Sequence, residues 1–300
     1  MSATRVTAPP RRRAARVTSR ESHGAYVVLR CSDPDGPQPQ AGQFYMLTAG
    51  TRWGGGAGER PFLPRAFSVL RARMHSGGQL ELQFLIEDVG PGTNRLCELE
   101  PGEDLLLVGP LGVGFVAPRE DRRALLVGGG VGIAPLAIWQ DSVESAGADS
   151  IGAIARGAIP PGLTAPPRVT VLLGFRDAAH AAGALLLDGA RIATDDGSVG
   201  HHGLVTELLE DQLDRDPNSE VYACGPPAML EATARLCAER AIPAQLALEA
   251  GMACGFGACY GCVIPTRQGY VRLCLEGPVL DAALLADPAG GASAHPEVQP

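Results

Sequence analysis

The chain has 300 residues, which suffices for two compact domains and a small third unit. Hydrophobic residues make up 45% of it and charged residues 19%, the balance of an ordinary globular protein. Its formal net charge of −8 argues against a nucleic-acid-binding protein, because phosphate binding needs a surplus of arginine and lysine.

No apolar run reaches the roughly 18–20 residues that a membrane-spanning helix needs, so we expect no membrane association. The first residues, MSATRVTAPPRRRAARV, contain no hydrophobic segment after their arginines and do not form a secretory signal. We therefore expect a cytoplasmic protein. In that reducing compartment, the eight cysteines point to metal binding or catalysis rather than to disulfides.

Residues 15–118 are predicted to form an all-β domain, a barrel or a sandwich, because short β-rich runs alternate there with turn clusters. The β-rich runs are 25–30, 43–47, 66–70 and 80–86. The glycine-rich stretch 53–58 is expected to be a mobile loop. Residues 1–14 are expected to be a disordered tail.

Residues 119–245 are predicted to form a doubly wound α/β domain, because strand-like apolar runs alternate with helical patterns. The strands are 124–127, 168–174 and 220–224, and a helix is predicted over 227–240. Segment 147–167, rich in glycine and proline, is interpreted as an inserted loop. Residues 246–282 form a short, cysteine-dense unit, and 283–300 are expected to be a second disordered tail.

The cysteine-dense unit has the spacing of an iron–sulfur ligand set. Four cysteines follow the order C-x4-C-x2-C-x11-C: Cys254, Cys259, Cys262 and Cys274. The first three have the plant-type [2Fe–2S] spacing, and a distant fourth cysteine completes the set. Thiolates around two irons need backbone N–H groups directed at their sulfurs, so the chain must approach closely. Small residues allow that approach: Gly255, Gly257, Ala258 and Gly261.

A structural zinc site is the alternative for these four cysteines. Zinc sites usually have two C-x2–4-C pairs, and this segment has one. The remaining cysteines are scattered, as is typical of small buried apolar residues: Cys31, Cys97, Cys224 and Cys237. Cys224 is a candidate catalytic residue as well, because it ends a predicted strand at the sheet edge where doubly wound domains bind ligands.

Two segments of the β domain are candidates for binding a flavin dinucleotide. In Arg65-Ala66-Phe67-Ser68, at a predicted strand start, the arginine can face a diphosphate while the aromatic ring and the hydroxyl face a flavin. Downstream, Gly90-Pro91-Gly92-Thr93 precedes a helical stretch whose first N–H groups can bind an anion. The alternatives are a strand with one salt bridge and an ordinary loop with a capping threonine.

A strand, a glycine-rich turn and a helix follow one another from residue 125 to residue 135. The turn contains four glycines: Gly128, Gly129, Gly130 and Gly132. Their backbone can approach a pyrophosphate at the start of the helix. The spacing differs from G-x-G-x-x-G, and a tight turn without a ligand is the alternative. Gly225 and Pro226 follow a later strand at the same sheet edge.

Taken in order, these motifs resemble those of the ferredoxin–NADP reductase superfamily. The segments LEAGMACGFGACYGC at 248–262 and RLCLEGPV at 272–279 narrow the resemblance to the electron-transfer subunits of NAD-linked dihydroorotate dehydrogenases. Residues 41–44 and 194–198 are also similar to that family. The resemblance extends over about residues 15–282, and the cysteine segment is its most specific part.

The resemblance implies an antiparallel β-barrel that binds FAD, an α/β domain that binds NAD and a small C-terminal [2Fe–2S] domain. By motif, the FAD contacts would be Arg65, Ala66, Phe67, Ser68, Leu85, Ile86, Glu87, Gly92 and Thr93. The NAD contacts would be Gly128, Gly129, Gly130, Gly132, Cys224, Gly225 and Pro226. Cys224 would lie near the nicotinamide. NADP stays an alternative to NAD, because Arg176 could pair with a ribose 2′-phosphate.

The resemblance also implies a catalytic, FMN-containing partner that oxidises dihydroorotate to orotate, in a heterotetramer with two copies of each chain. Because a flavin exchanges hydride and an iron–sulfur cluster exchanges single electrons, this chain would convert between the two kinds of carrier. Two alternatives stay open. One is a reductase subunit of the same build in a hydrogenase or sulfide-oxidising complex, and the other is a non-catalytic, zinc-stabilised binding module.

Overall fold

The computed structural model describes residues 12–54, 62–119, 122–155 and 169–285, with the backbone alone for 146–155. Most of the predicted loop at 53–58 and most of both predicted tails lie outside these residues. Among the described residues, no helix is long and apolar enough to cross a membrane.

A closed, antiparallel barrel of six strands forms the first unit, in the order β1-β2-β5-β4-β3-β6. Its elements are β1 (Arg13–His23), β2 (Tyr26–Ser32), β3 (Phe44–Ala49), β4 (Arg65–Met74), β5 (Leu80–Glu87), helix α1 (Pro91–Cys97) and β6 (Asp104–Leu111). Closure into a barrel leaves no unpaired strand edge and buries one face of each strand. The predicted β domain is confirmed as a barrel.

Strand β1 begins before the predicted domain boundary at residue 15. Arg13 and Ala14 pair with Leu107 and Leu106 of β6, so the predicted tail 1–14 is two residues too long at this end. The strand alternates buried and exposed residues from Arg13 onward, as a barrel strand must. This alternation is hard to recognise in the sequence, because a charged residue, Arg13, occupies a buried position.

A buried ion pair explains the position of Arg13. Its Nε donates to Asp33 Oδ1 at 3.0 Å, and its Nη2 donates to Asp33 Oδ2 at 2.7 Å and to the carbonyl oxygen of Gly109 at 2.8 Å. The two side chains are 4% and 1% exposed. The guanidinium thus connects β1, the turn after β2 and β6, and its charge is neutralised where water is absent.

A seven-stranded sheet forms the core of the second unit, in the order β10-β9-β8-β7-β11-β12-β15. Its own elements are β7 (Arg123–Gly129), α2 (Ala134–Ala155), β8 (Thr170–Phe175), α3 (Ala178–Ala181), β9 (Ala190–Thr194), β10 (His201–His202), α4 (Val205–Arg215), β11 (Ser219–Cys224), α5 (Pro227–Glu239) and β12 (Ala244–Ala247). The pairs from β10 to β12 are parallel, which confirms the doubly wound α/β domain. Helix α2 continues to Ala155, so the inserted loop predicted from residue 147 begins too early.

The third unit is attached to both others. It contains the hairpin β13 (Val263–Thr266) and β14 (Gly269–Arg272), and the strand β15 (Val279–Asp281). Strand β15 pairs antiparallel with β12, which adds it to the sheet of the second unit. The folded unit extends past the predicted boundary at 282, because Arg267 N donates to the carbonyl oxygen of Leu284 at 2.9 Å.

We expect the substitution Asp33→Ala to lower the free energy of unfolding by about 3–5 kcal/mol, because it leaves the Arg13 guanidinium buried and unpaired. Denaturant unfolding of the flavin-loaded chain measures this. The matched control is Glu98→Ala, whose partner Arg52 lies 3.7 Å away in an exposed pair. The control should cost less than about 1 kcal/mol. Equal effects of the two substitutions would show that the buried pair does not anchor the barrel.

Candidate functional site

A cavity of about 190 Å³ lies where the barrel meets the other two units. Four of the residues predicted to contact a flavin line it: Ala66, Phe67, Ser68 and Leu85. Val131, at the glycine-rich turn, and the segment from Leu248 to Met252 close its other sides. The cavity therefore joins the barrel, the nucleotide-type turn and the approach to the cysteine segment. We call it the flavin-side cavity.

Arg65 and Gly92 lie together beside this cavity. A Cβ atom placed on Gly92 would be 3.1 Å from the Nε and Nη2 of Arg65, so glycine lets the guanidinium lie against the start of α1. Thr93 Oγ1 accepts hydrogen bonds from Val89 N and Gly90 N at 2.9 Å each. This threonine orders the loop, which is the capping role considered from the sequence. The loop lies beside the Arg65 guanidinium, a cation that can pair with a diphosphate.

Two other predicted flavin contacts lie elsewhere. Ile86 is fully buried in the barrel core. Glu87 lines a second, larger cavity, where its Oε1 accepts a hydrogen bond from Arg176 Nη2 at 2.8 Å. Its role as a flavin contact stays a prediction, and its observed partners belong to the α/β unit.

The second cavity has a volume of about 650 Å³ and follows the carboxyl ends of the parallel strands. Gly129, Gly130, Gly225 and Pro226 line it, as predicted for a nucleotide site. Gly128 and Gly132 support the turn from behind: a Cβ atom on Gly132 would lie 2.5 Å from the carbonyl oxygen of Cys224. Glycine at that position lets the turn pack on the end of β11. We call this the nucleotide cavity.

Cys224 lines neither cavity. It is 2% exposed and packs in the apolar core between the units. Burial raises the pKa of its thiol well above the ordinary value, and the nearby Glu249 carboxylate raises it further. The thiol is therefore protonated at neutral pH. Its placement near a nicotinamide stays a prediction.

Glu249 is the site residue that the sequence reasoning missed. It lines both cavities and lies in the segment that connects β12 to the cysteines. The residue is exposed at the surface, and partial desolvation of its carboxyl group raises its pKa above the usual range of glutamate. Its position directly before the cysteine segment was the only signal in the sequence, and that signal does not specify a role.

The four predicted metal ligands form two pairs. The side chain of Cys259 is hydrogen-bonded to Cys254, and Cys274 is hydrogen-bonded to Cys262, whose Sγ also accepts from Cys274 N at 3.5 Å. Within the described ranges, no three His, Cys, Asp or Glu side chains converge on one ion position. Two thiol pairs can supply the two donors that each iron of a [2Fe–2S] cluster takes from the protein.

Backbone N–H groups point at the first cysteine of the set. Burial would raise the pKa of the Cys254 thiol, but N–H groups of Cys259, Phe256 and Ala258 lower it to about 6. The loop therefore stabilises a thiolate, the form that binds iron. At the inner pair, burial and Cys262 raise the pKa of Cys274 to about 12, which indicates that this pair is thiol-like until a cation neutralises it.

Two glycines let the cysteine loop take this shape. Gly255 and Gly257 have φ angles of +77° and +83°, in the left-handed region. A Cβ atom on Gly255 would lie 2.5 Å from Met46 Cγ of the barrel, and one on Gly257 would lie 2.3 Å from Leu275 Cδ1. The loop is thus pressed onto the barrel strand β3 on one side and onto the Cys274 segment on the other.

Comparison with known proteins agrees with this geometry. A family model described as the iron-sulfur cluster binding domain of dihydroorotate dehydrogenase B matches residues 249–286. The chain is 31% identical to the dihydroorotate dehydrogenase B (NAD(+)) electron transfer subunit of Caldanaerobacter subterraneus subsp. tengcongensis, over 88% of this chain and 94% of that protein. It is 30% identical to the subunit of the same description from Clostridium perfringens, over 80% of this chain and 85% of that protein.

A solved structure has the same fold. It is the NADH-dependent reduced ferredoxin–NADP oxidoreductase studied for flavin-based electron bifurcation, with a TM-score of 0.70 and 22% sequence identity. The match covers 91% of this chain and 89% of that chain. The arrangement of barrel, α/β domain and C-terminal unit is therefore shared with a flavin-dependent oxidoreductase.

We expect Gly257→Ala to reduce the iron bound per chain by roughly half or more, because the new methyl group meets Leu275 and the residue must keep a left-handed φ. Iron analysis of anaerobically purified protein, with the flavin absorbance as a reference, measures this. Gly251→Ala is the matched control, since a Cβ atom there meets no atom within 4 Å. The control should bind iron like the unaltered chain. An unaffected Gly257→Ala protein would refute the close approach as a requirement.

Proposed function

Because the chain belongs to the family of dihydroorotate dehydrogenase B electron-transfer subunits, we propose that it carries electrons between a catalytic partner subunit and NAD⁺. The resident groups are FAD, with its flavin ring at the flavin-side cavity and its diphosphate toward Arg65, and a [2Fe–2S] cluster on the four cysteines. When bound, the flavin exchanges two electrons with a nicotinamide as hydride and exchanges electrons singly with the cluster. The partner is the FMN-containing subunit that oxidises dihydroorotate, in an assembly with two copies of each chain.

The observation that carries this proposal is the position of the cysteine loop against the flavin-side cavity. Met252 lines that cavity and Cys254 follows two residues later. On the other side, Gly255 packs against Met46 of β3, the strand that also supplies Phe44 to the cavity. The loop that would hold a cluster thus lies next to the residues that line the flavin-side cavity, as electron transfer between the two groups requires.

The second support is that the two cavities meet. Val131 and Glu249 line both, so a nicotinamide at the near end of the nucleotide cavity faces the flavin-side cavity. Phe67 and Ser68 line the flavin side, and Gly225 and Pro226 line the nucleotide side. The chain's own residues would thus bring a flavin ring and a nicotinamide ring next to each other when both are bound.

The outer face of the cysteine loop is the contact surface for the partner. Cys259 is exposed, and the neighbouring aromatic rings of Phe256 and Tyr260 are 61% and 64% exposed. Apolar rings beside an electron carrier suit a docking surface. A zinc-stabilised binding module is disfavoured by the paired cysteines, and the cytoplasmic location stays a prediction.

We expect the purified chain alone to oxidise NADH with ferricyanide as acceptor and to leave dihydroorotate unchanged. Together with the proposed FMN-containing partner subunit, it should reduce NAD⁺ with electrons from dihydroorotate. Cys259→Ser should lower that coupled rate by about a hundredfold or more, because it removes a cluster ligand, while the NADH–ferricyanide rate and the flavin content persist. Cys97→Ala is the control outside the ligand set. Dihydroorotate oxidation by the single chain would contradict the proposed division of labour.

A second expectation concerns the pH dependence of flavin reduction by NADH. A carboxylate at Glu249 favours the positive charge that develops on the nicotinamide as hydride leaves, so the rate should rise as pH passes through the pKa of Glu249. Because that pKa is raised, the rise should lie above the usual range of glutamate. Stopped-flow measurements from about pH 5 to 8 should show this rise. Glu249→Gln should be slower and flat over the range, and a variant that keeps the original profile would exclude Glu249.

A further inference from the structure

The nucleotide cavity has two chemically different ends. The end beside Gly225 and Glu249 adjoins the flavin-side cavity, which is where a nicotinamide must lie. The cavity then crosses the sheet to Arg176 and Asp195, at the carboxyl ends of β8 and β9. A dinucleotide with its diphosphate over the Gly129–Gly130 turn places its adenosine ribose at this second end.

Arg176 is the one arginine among the described residues that line this cavity, and its side chain is already paired although it is 62% exposed. Its Nη2 donates to Glu87 Oε1 at 2.8 Å, and its Nε lies 3.7 Å from Asp177 Oδ2. The ring of His180 contacts the same guanidinium and bonds both to Asp177 and to Glu87. Glu87 comes from β5 of the barrel, so an acid of one unit pairs with the nucleotide-facing cation of another.

The balance of charge at this end disfavours a further anion. Two acids line this end of the cavity, Glu87 and Asp195, and Asp177 lies against Arg176. The cations that line it are Arg176 and, when protonated, His180. The chain contains no lysine, so no ammonium group can supplement them. A ribose 2′-phosphate carries almost two negative charges and would have to displace a carboxylate to reach Arg176.

We propose that Glu87 is a specificity-determining residue: by holding Arg176 across the interface between the barrel and the α/β domain, it excludes nucleotides with a 2′-phosphate and selects NAD(H) over NADP(H). The free 2′,3′-diol of NAD meets carboxylates that can accept its hydroxyl hydrogens. Arg176 is thus paired with Glu87 and does not bind a phosphate. This inference rests on the proposed function, since it assigns which nicotinamide nucleotide that site takes.

The test is a calorimetric titration of the flavin-loaded chain with ADP-ribose and with 2′-phospho-ADP-ribose, which differ only in the phosphate. The unaltered chain should bind ADP-ribose at least about tenfold more tightly. Glu87→Gln frees Arg176 and should reduce that ratio about fivefold or more, mainly through tighter binding of the phosphorylated ligand. Asp195→Asn, which removes another facing charge without touching the barrel, should reduce the ratio in the same direction.

Glu210→Gln is the matched control. Glu210 lies on α4, does not line the cavity, and its Oε1 is 2.9 Å from Arg240 Nη2. It should leave the ratio unchanged. A ratio near one in the unaltered chain, or a ratio that Glu87→Gln does not change, would overturn the assignment of Glu87 while leaving the nucleotide site intact. Binding of neither ligand to the unaltered chain would instead refute the proposed function itself.

Discussion

The structure depends on one constraint: the unit that carries the cysteine loop must be attached to the α/β sheet and must also place that loop beside the flavin-side cavity. Strand β15 pairs with β12 and fixes the unit to that sheet, while Gly255 packs on Met46 of the barrel. Only glycines with left-handed φ angles permit this double contact. The packing on both sides fixes the loop, and the result is a ligand set adjacent to the residues that line a flavin site.

The three units share their functional residues instead of keeping them apart. Glu249 follows the last parallel strand of the α/β sheet, lines both cavities and lies five residues before Cys254. Arg71 of the barrel pairs with Asp141 of α2 at 2.8 Å, and Glu87 pairs with Arg176. These contacts hold the barrel and the α/β domain in the relative position that brings two redox rings together.

Much of this was accessible from the sequence, for identifiable reasons. The cysteine spacing, the strand–glycine–helix order and the alternating β runs are local patterns, and each one predicted its unit correctly. The missed features are non-local. Strand β1 was concealed because Arg13 needs Asp33, twenty residues away, to be buried. Glu87 was assigned to the flavin by motif, and its pairing with Arg176 depends on how two domains meet. Glu249 acquires its raised pKa only from desolvation in the folded chain.

The most direct test of the central claim is electron paramagnetic resonance of the anaerobic, isolated chain after addition of NADH. Electrons that enter at the nucleotide cavity should pass through the flavin site to the four cysteines. We predict a signal of a reduced [2Fe–2S] cluster that grows as the flavin absorbance changes, and that dithionite brings to about one spin per chain. A chain whose flavin is reduced by NADH but which shows no cluster signal, even with dithionite, would contradict the account.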